Sequence, residues 1–165
     1  MGLFLTSCNG VPETQLSSKK SEEVIRYANE NLPLHGRLIV TEEGFGYLKV
    51  DDAYINTLFP MLEISEKGYR KPPYFRSKES PGAHISVFYV DEQIHPQEIG
   101  QTFPFTLKRV AIVHASRYAK YAILEVESKE LERLRQKYGL SPKLKGHEFH
   151  ITLAKKTLSR HRRRF

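Results

Sequence analysis

The sequence predicts one α+β domain built from two similarly ordered halves. Strand-like segments outnumber helical ones, the order strands, helix, strand occurs twice, and each half ends in a stretch of the same type. These stretches are His84-Ile85-Ser86-Val87 and His150-Ile151-Thr152-Leu153. A chain of 165 residues with abundant Tyr and Phe can bury a sizeable core without covalent cross-links.

The first half begins with a helix and ends at the first of these stretches. Its predicted elements are, in order, a helix over 22–32, strands over 37–41 and 45–50, a short helix over 54–62, a polar loop over 66–82 and a strand over 83–90. The helices show apolar residues at helical spacing, and Pro33 ends the first one. Gly44 and Gly46 mark the turn between the first two strands.

The second half repeats the order strands, helix, strand. Its predicted elements are strands over 105–114 and 121–126, which form a hairpin, a helix over 129–138 and a strand over 148–154. Ser128 is a suitable residue to cap the helix, and Gly139 stands where a helix end favours glycine. The duplication is one of element order, because the sequences of the halves match only in the two short stretches.

Each short stretch alternates polar and apolar residues, as a half-buried strand does. His84 and Ser86 therefore share one face of a strand, and His150 and Thr152 share one face of another. The intervening residues expected to face the core are Ile85, Val87, Ile151 and Leu153. Across a groove, one imidazole could give a proton while the other takes one, and the hydroxyls could hold the oxygens of a phosphate diester.

Two other histidine patterns have simpler interpretations. His114-Ala115-Ser116 lacks the apolar flank and is interpreted as chance or as a turn residue. His147 and His150 lie three residues apart in a strand-like segment, whereas zinc-protease histidines lie four apart on a helix. We therefore expect no metal site and no cofactor, and we interpret His147 as a groove-edge or surface residue.

The net charge of +7 is concentrated at the carboxyl end. Six of the 26 basic residues lie in 155–165, which contains no acidic residue, so the rest of the chain is nearly neutral. Such a tail is typically a solvated end, although it could raise affinity for RNA through phosphate contacts. We assign 1–20 to a disordered or tethering segment, 21–157 to one bilobal domain and 158–165 to a basic tail.

The amino terminus leaves several interpretations open. Leu5-Thr6-Ser7-Cys8 resembles a bacterial lipobox, but only five uncharged residues precede the Thr6 position. Met1-Gly2 with Thr6 also fits a loose myristoylation pattern, and a chance match in a disordered end is the simplest interpretation. We expect a cytoplasmic location by default, or a lipid anchor at Cys8 if a leader precedes this start. The single cysteine excludes an intrachain disulfide and a cysteine-based metal cluster, and no apolar run is long enough to span a membrane.

The paired motifs resemble those of the 2H phosphoesterase superfamily, which has two His-x-[Ser/Thr] motifs with apolar flanks, one in each lobe. Residues 146–154 resemble the second motif closely, and residues 82–87 resemble the first. The resemblance extends in element order from Arg37 to Lys155, but specific identity rests on the two motifs. It implies a bilobal, pseudo-twofold α+β fold in which antiparallel strands of the two lobes line a central groove.

The resemblance also implies an activity and its residues. RNA ends, cyclic nucleotides or short oligonucleotides are the implied substrates, and no metal is needed. Carried over, His84 and His150 are the catalytic pair, and Ser86 and Thr152 bind the phosphate. We assign His150 as general base and His84 as general acid, although the pseudo-symmetry lets these roles exchange.

Further side chains are candidates for contact with substrate. They are Tyr74, Arg76 and Lys78 in the loop before the first motif, and Tyr118 and Tyr121 beside the predicted hairpin turn. A tyrosine could stack on a base, and a cation could bind a phosphate. For any one of them, a core tyrosine or a solvated cation is the simpler interpretation.

The sequence thus predicts a monomeric, metal-independent phosphodiesterase that hydrolyses a 2′,3′-cyclic phosphate or a short RNA-derived oligonucleotide, without readout of DNA. One alternative is a non-catalytic module on the same fold that binds RNA ends or nucleotides. Another is an interaction domain with coincidental motifs, which predicts that His84 and His150 lie far apart.

Overall fold

An antiparallel sheet forms the centre of the computed structural model, which describes residues 16–159. Within that range its strands are β1 (His35–Val40), β2 (Gly46–Lys49), β3 (His84–Phe88), β4 (Thr102–Pro104), β5 (Thr106–Ser116), β6 (Ala119–Glu127) and β7 (Phe149–Thr157). Their order across the sheet is β4-β1-β2-β3-β7-β6-β5. All neighbouring pairs are antiparallel.

The two motif strands are neighbours in the middle of this sheet. Ile85 of β3 pairs with Ile151 of β7, and these are equivalent residues of the two motifs. An antiparallel pair centred on equivalent residues has a local twofold axis between its strands. Strands β4, β1, β2 and β3 form one lobe, and β7, β6 and β5 form the other. The expected bilobal α+β arrangement is therefore confirmed.

The apolar face of both motif strands is buried, as their alternation predicts. Its four residues are Ile85, Val87, Ile151 and Leu153, and none is accessible to solvent. Burying each such side chain contributes about 1.5–3 kcal/mol. A register slip of one residue would bury the polar side chains instead, so the core determines which face of β3 and β7 carries the histidines.

Four α-helices of the described residues cover this core: α1 (Ser18–Asn31), α2 (Ala53–Asn56), α3 (Leu58–Leu62) and α4 (Lys129–Lys137). Helix α1 begins four residues before its predicted start, because the Ser17 hydroxyl accepts a hydrogen bond from the Lys20 amide at 3.2 Å. Residues 18–20, which the sequence assigned to a tether, are therefore helical. The Cys8 and myristoylation patterns, and residues 160–165 of the basic tail, lie outside the described residues.

The structure also differs from the prediction at one helix and one strand. The helix predicted over 54–62 is divided into α2 and α3 at Thr57. Strand β4 was not predicted, because it is only three residues long and ends in Pro104, a residue confined to the edges of sheets. The predicted cap of α4 is confirmed, since Ser128 Oγ accepts from the Leu131 amide at 3.2 Å and Gly139 has a φ of 76°.

A buried cation fastens α4 to the first motif strand. Arg135 is only 2% exposed, and its Nη1 donates to the Val87 carbonyl oxygen at 2.6 Å. The same guanidinium donates to both carboxylate oxygens of Glu92, at 3.0 and 2.8 Å. These bonds fix β3 to the helix of the other half. No helix between residues 16 and 159 is long and apolar enough to cross a membrane.

Candidate active site

The polar residues of both motifs line one cavity. His84, Ser86, His150 and Thr152 contribute to a space of about 440 Å³, within the range of about 300–1,000 Å³ typical of small-molecule sites. Because β3 and β7 run antiparallel about the central isoleucine pair, each histidine lies nearest the hydroxyl residue of the other motif. The structure thus brings together the four residues that the sequence nominated.

The two imidazoles are held in the same way. His84 Nδ1 lies 2.7 Å from the Gly82 carbonyl oxygen, and His150 Nδ1 lies 2.9 Å from the Glu148 carbonyl oxygen. A carbonyl oxygen can only accept a hydrogen bond, so Nδ1 carries a proton in both rings. Nε2 is then a proton acceptor in the neutral ring and a donor in the imidazolium. Either histidine can therefore use Nε2 to take or to give a proton.

Aromatic rings surround His84. Its ring centroid lies 4.8 Å from that of Tyr74, 5.4 Å from that of Tyr47 and 6.0 Å from that of Phe45, all in edge-to-face arrangements. Burial raises the pKa of the Tyr74 hydroxyl, and its hydrogen bond with the Thr152 side chain acts in the opposite direction. Tyr74 thus contacts the histidine of one motif and the hydroxyl residue of the other.

The surroundings of His84 favour its neutral form. Burial lowers the pKa of His84 below its ordinary value, and the positive charges of Lys49 and His150 act in the same direction. The hydrogen bond to Gly82 opposes these effects. At neutral pH the imidazole is therefore suited to accept a proton.

Lys49 and Asp52 hold the peptide that precedes His84. Lys49 lies opposite His84 on the neighbouring strand, and its ammonium donates to Asp52 Oδ1 at 2.6 Å and to the Ala83 carbonyl oxygen at 3.1 Å. The same Asp52 oxygen accepts from the Ala83 amide at 3.0 Å. Gly82, whose carbonyl holds the imidazole, has a φ of 60°, and a Cβ there would lie 2.4 Å from Asp52 Oδ1. Lys49 and Asp52 therefore determine the position of the Gly82 carbonyl, which orients His84.

Two carboxylates line the cavity near His150, and each has a cationic partner. Glu125 lies opposite His150 on β6, and Arg109 donates to its two oxygens at 2.7 and 3.2 Å. Glu148 accepts from Lys143 Nζ at 2.6 Å, and this bond lowers the pKa of the carboxyl. The negative charges at this end of the cavity are thus neutralised by the protein itself.

The other predicted contact residues divide into two groups. Tyr74 and Tyr121 line the cavity. Arg76, Lys78 and Tyr118 do not line it: the first two are exposed in the loop before β3, and Tyr118 is 40% exposed in the turn between β5 and β6. Closeness in sequence to the first motif does not bring Arg76 and Lys78 to the imidazoles, and a place beside the hairpin turn does not bring Tyr118 to them.

Other residues of the site were not nominated from the sequence. His114, interpreted there as chance or a turn residue, lies near the end of β5 and lines the cavity. His147 is exposed and also lines the cavity, in agreement with its interpretation as a groove-edge or surface residue. Lys49 and Asp52 belong to no motif. The structure identifies them because Lys49 pairs with His84 and Asp52 accepts a hydrogen bond from the Ala83 amide. Among residues 16–159, no group of three or more His, Cys, Asp or Glu side chains is placed to hold a metal ion.

A comparison with protein families identifies the class of protein. The family model described as "Swiss Army Knife, 2H phosphoesterase domain" matches residues 46–161, more than two thirds of the chain and both motifs. The chain therefore belongs to the 2H phosphoesterase family, and the resemblance inferred from its two motifs is confirmed. Searches of curated proteins and of solved structures gave no match.

Proposed function

We propose that this 2H phosphoesterase hydrolyses a 2′,3′-cyclic phosphate, on a mononucleotide or at the end of a short RNA-derived oligonucleotide, without a metal ion. The observation that carries the proposal is the pair of imidazoles in one cavity, His84 and His150, each with Nδ1 bonded to a backbone carbonyl. Hydrolysis needs a proton removed from water and a proton given to the leaving ribose oxygen. The pair supplies one group for each transfer.

The reaction balances with these two groups alone. The base takes a proton from a water molecule as the water oxygen attacks phosphorus, forming a new P–O bond. The bond between phosphorus and one ribose oxygen breaks, and the acid protonates that oxygen. The product is a phosphate monoester beside a free hydroxyl, and a proton exchange with water restores both histidines.

We assign His84 as the base and His150 as the acid, the reverse of the assignment made from the sequence. Burial and the nearby charge of Lys49 lower the pKa of His84, so the neutral form required of a base predominates at neutral pH. His150 is then the acid that protonates the leaving ribose oxygen. The pseudo-symmetric motifs differ in their surroundings, and these surroundings support different roles for the two rings.

Ser86 and Thr152 are the proposed ligands of the non-bridging phosphate oxygens. Each hydroxyl stands beside the histidine of the other motif, and a hydrogen bond to a charged oxygen contributes about 1.5–3 kcal/mol. Tyr74 supports Thr152 through their side-chain hydrogen bond.

Tyr121 lines the same cavity, and its ring could stack on a base of the substrate. Such stacking contributes about 1–3 kcal/mol per base where it occurs. Only ribose has the 2′ hydroxyl that closes the cyclic phosphate, so the implied source of the substrate is RNA.

The proposal is tested by incubating the full chain with 2′,3′-cyclic mononucleotides and with an RNA that ends in a cyclic phosphate. Phosphorus NMR should show conversion to a monoester at a rate that a chelator leaves unchanged. Thr152→Val should lower kcat/KM by roughly 10- to 150-fold, which corresponds to one lost bond to a charged oxygen. Thr157→Val is the matched control, because Thr157 is an exposed residue at the end of the same strand.

Two outcomes would contradict the proposal. Tight binding of the nucleotides without turnover would identify a binding module. Activity that a chelator abolishes and a divalent metal restores would exclude the two-histidine mechanism.

A further inference from the structure

Two cationic residues, Arg70 and Lys155, lie beyond Thr152 on the face of the sheet that carries the cavity. Arg70 pairs with Lys155 in an antiparallel bridge, with both backbone hydrogen bonds at 2.8 Å. Lys155 pairs in turn with Tyr121, and Tyr121 with Val113. Residues paired across neighbouring antiparallel strands project from the same face. Tyr121 and Val113 line the cavity, so Lys155 and Arg70 extend the same row on the cavity face.

An irregularity in β7 places Lys155 on the cavity face of the sheet. The register between β6 and β7 shifts at Ala122 and Ile123, and the successive residues Leu153 and Ala154 are both fully buried. Thr152 and Lys155 therefore lie on the cavity side with two core residues between them. The Lys155 ammonium lies 5.9 Å from the centre of the Tyr121 ring, which places it beside the cavity wall.

These two cations have no carboxylate partner among residues 16–159. No ion pair of Lys155 or Arg70 is formed there. Arg70 Nη1 donates to the carbonyl oxygens of Ser65 and Tyr69, at 3.0 and 2.9 Å, which orients the guanidinium without neutralising it. Like charges directly opposite each other on paired strands destabilise a sheet, and a bound anion would relieve that repulsion.

The charges of the cavity are therefore asymmetric. At the His150 end, Glu125 and Glu148 are matched by Arg109 and Lys143. Beyond Thr152 at the other end, the positive charge has no carboxylate partner in the part of the chain that the structure describes. The partners of Thr152 and Lys155 on β6, Ile123 and Tyr121, are two residues of extended chain apart, about 7 Å. This is of the order of the distance between neighbouring phosphates of an oligonucleotide.

We propose that Lys155 and Arg70 bind a second phosphate, the one that joins the reacting nucleotide to its neighbour. This inference rests on the proposed function, because that function places the first phosphate between the motifs. The favoured substrate is then an oligonucleotide that ends in a cyclic phosphate, rather than a cyclic mononucleotide. A bridging phosphate carries one negative charge and two free oxygens, which suit one ammonium and one guanidinium.

Kinetics on two substrates test the inference. For a dinucleotide with a terminal 2′,3′-cyclic phosphate, Lys155→Gln or Arg70→Gln should raise KM about tenfold, the lower end of the range for a bond to a charged group, and leave kcat nearly unchanged. The cyclic mononucleotide, which has no second phosphate, should keep its kcat/KM within about twofold. The slope of log KM against log salt for the dinucleotide should fall by roughly 0.7 per lost contact.

Lys156→Gln is the matched control, because it removes the same charge from the adjacent residue of β7. A dinucleotide with a neutral methylphosphonate link is the second control, and it should bind wild type and Lys155→Gln equally. A KM increase that is the same for both substrates, or that persists with the neutral link, would overturn the inference.

A binding measurement separates this inference from the proposed function. Calorimetry with a dinucleotide 3′-phosphate requires no turnover, and Lys155→Gln should weaken its binding about tenfold. If the wild type binds this ligand with that dependence but hydrolyses no cyclic phosphate, the second-phosphate site stands and the proposed activity fails. If Lys155→Gln binds it as tightly as the wild type, or if the wild type does not bind it, the site is refuted.

Discussion

Replacing Lys49 by Met should impair catalysis through His84, although Lys49 does not itself line the cavity. Its ammonium donates to Asp52 Oδ1, to the Ala83 carbonyl and to the Val50 carbonyl, at 2.6, 3.1 and 2.6 Å. Met keeps a similar length of side chain but removes the charge and all three bonds. The peptide that carries the Gly82 carbonyl would then be held less firmly, and the orientation of His84 with it.

The size of the effect follows from these bonds. A hydrogen bond from a charged group contributes about 1.5–3 kcal/mol. If one such bond is needed to hold the imidazole in its reactive position, its loss corresponds to roughly a 10- to 150-fold fall in kcat. KM should change much less, since Lys49 does not line the cavity that holds the proposed phosphate site.

A change in pH dependence distinguishes this role from a loss of stability. The charge of Lys49 lowers the pKa of His84, so its removal should raise that pKa. A larger fraction of His84 is then protonated at any given pH, and a protonated base is inactive. The acid limb of the kcat/KM profile should therefore move to higher pH in Lys49→Met, and NMR titration of the imidazole nitrogens should show the same direction.

The experiment needs two controls. Lys78→Met removes an exposed cation of the loop before β3 and should leave the profile of the wild type. Lys49→Arg keeps the charge and should restore part of the rate and most of the pH profile. The reasoning would be refuted if Lys49→Met lowered the free energy of unfolding but left kcat per folded molecule and the titration of His84 unchanged.

Three further variants test single contacts. Tyr74→Phe keeps the ring beside His84 but loses the bond to Thr152, so kcat/KM should fall by about 2- to 10-fold in steady-state assays; an unchanged value would remove Tyr74 from the site. Arg135→Met leaves the Glu92 side chain, which is only 13% exposed, without its cation and should cost about 3–5 kcal/mol in urea unfolding, whereas a loss below about 1 kcal/mol would show that the pair is not structural. Gly82→Ala forces a side chain into a backbone with a φ of 60° and towards Asp52, so kcat should fall with KM nearly constant; wild-type kinetics would refute the role of the Gly82 carbonyl in orienting His84.

The parts of the fold that local chemistry determines could be predicted from the sequence. The alternation of His84, Ile85, Ser86 and Val87 predicted a strand with one buried face. The burial of the two apolar residues in each motif confirms this prediction. Ser128 predicted the start of α4 because a capping hydroxyl acts within one helical turn. The repeated element order indicated two lobes, and the family match agrees with it.

The parts that depend on pairing between distant residues could not be predicted. Lys49 and Ala83 are 34 residues apart, and no local pattern marks Lys49 as a partner of the peptide before His84. Similarly, Arg70 becomes a neighbour of Lys155 only through an isolated bridge. Arg76 was nominated because it is near the first motif in sequence, yet its loop turns that side chain to solvent.

Boundary errors have a related cause. Helix α1 was expected to begin at residue 22, because its apolar spacing starts near Val24. Its polar first turn depends instead on the cap from Ser17. Strand β4 forms only because it pairs with β1. A pairing between residues so far apart in sequence leaves no local pattern from which the strand could be predicted.

The measurement that tests the central claim most directly is the rate of cyclic phosphate hydrolysis by His84→Ala, His150→Ala and the double variant. If each ring transfers one proton, each single variant should lose about 10²–10⁴-fold in kcat. Because the two groups act in one concerted reaction, the double variant should lose far less than the product of the two single losses. If either single variant kept wild-type activity, or if the losses multiplied, the two-histidine mechanism would be contradicted.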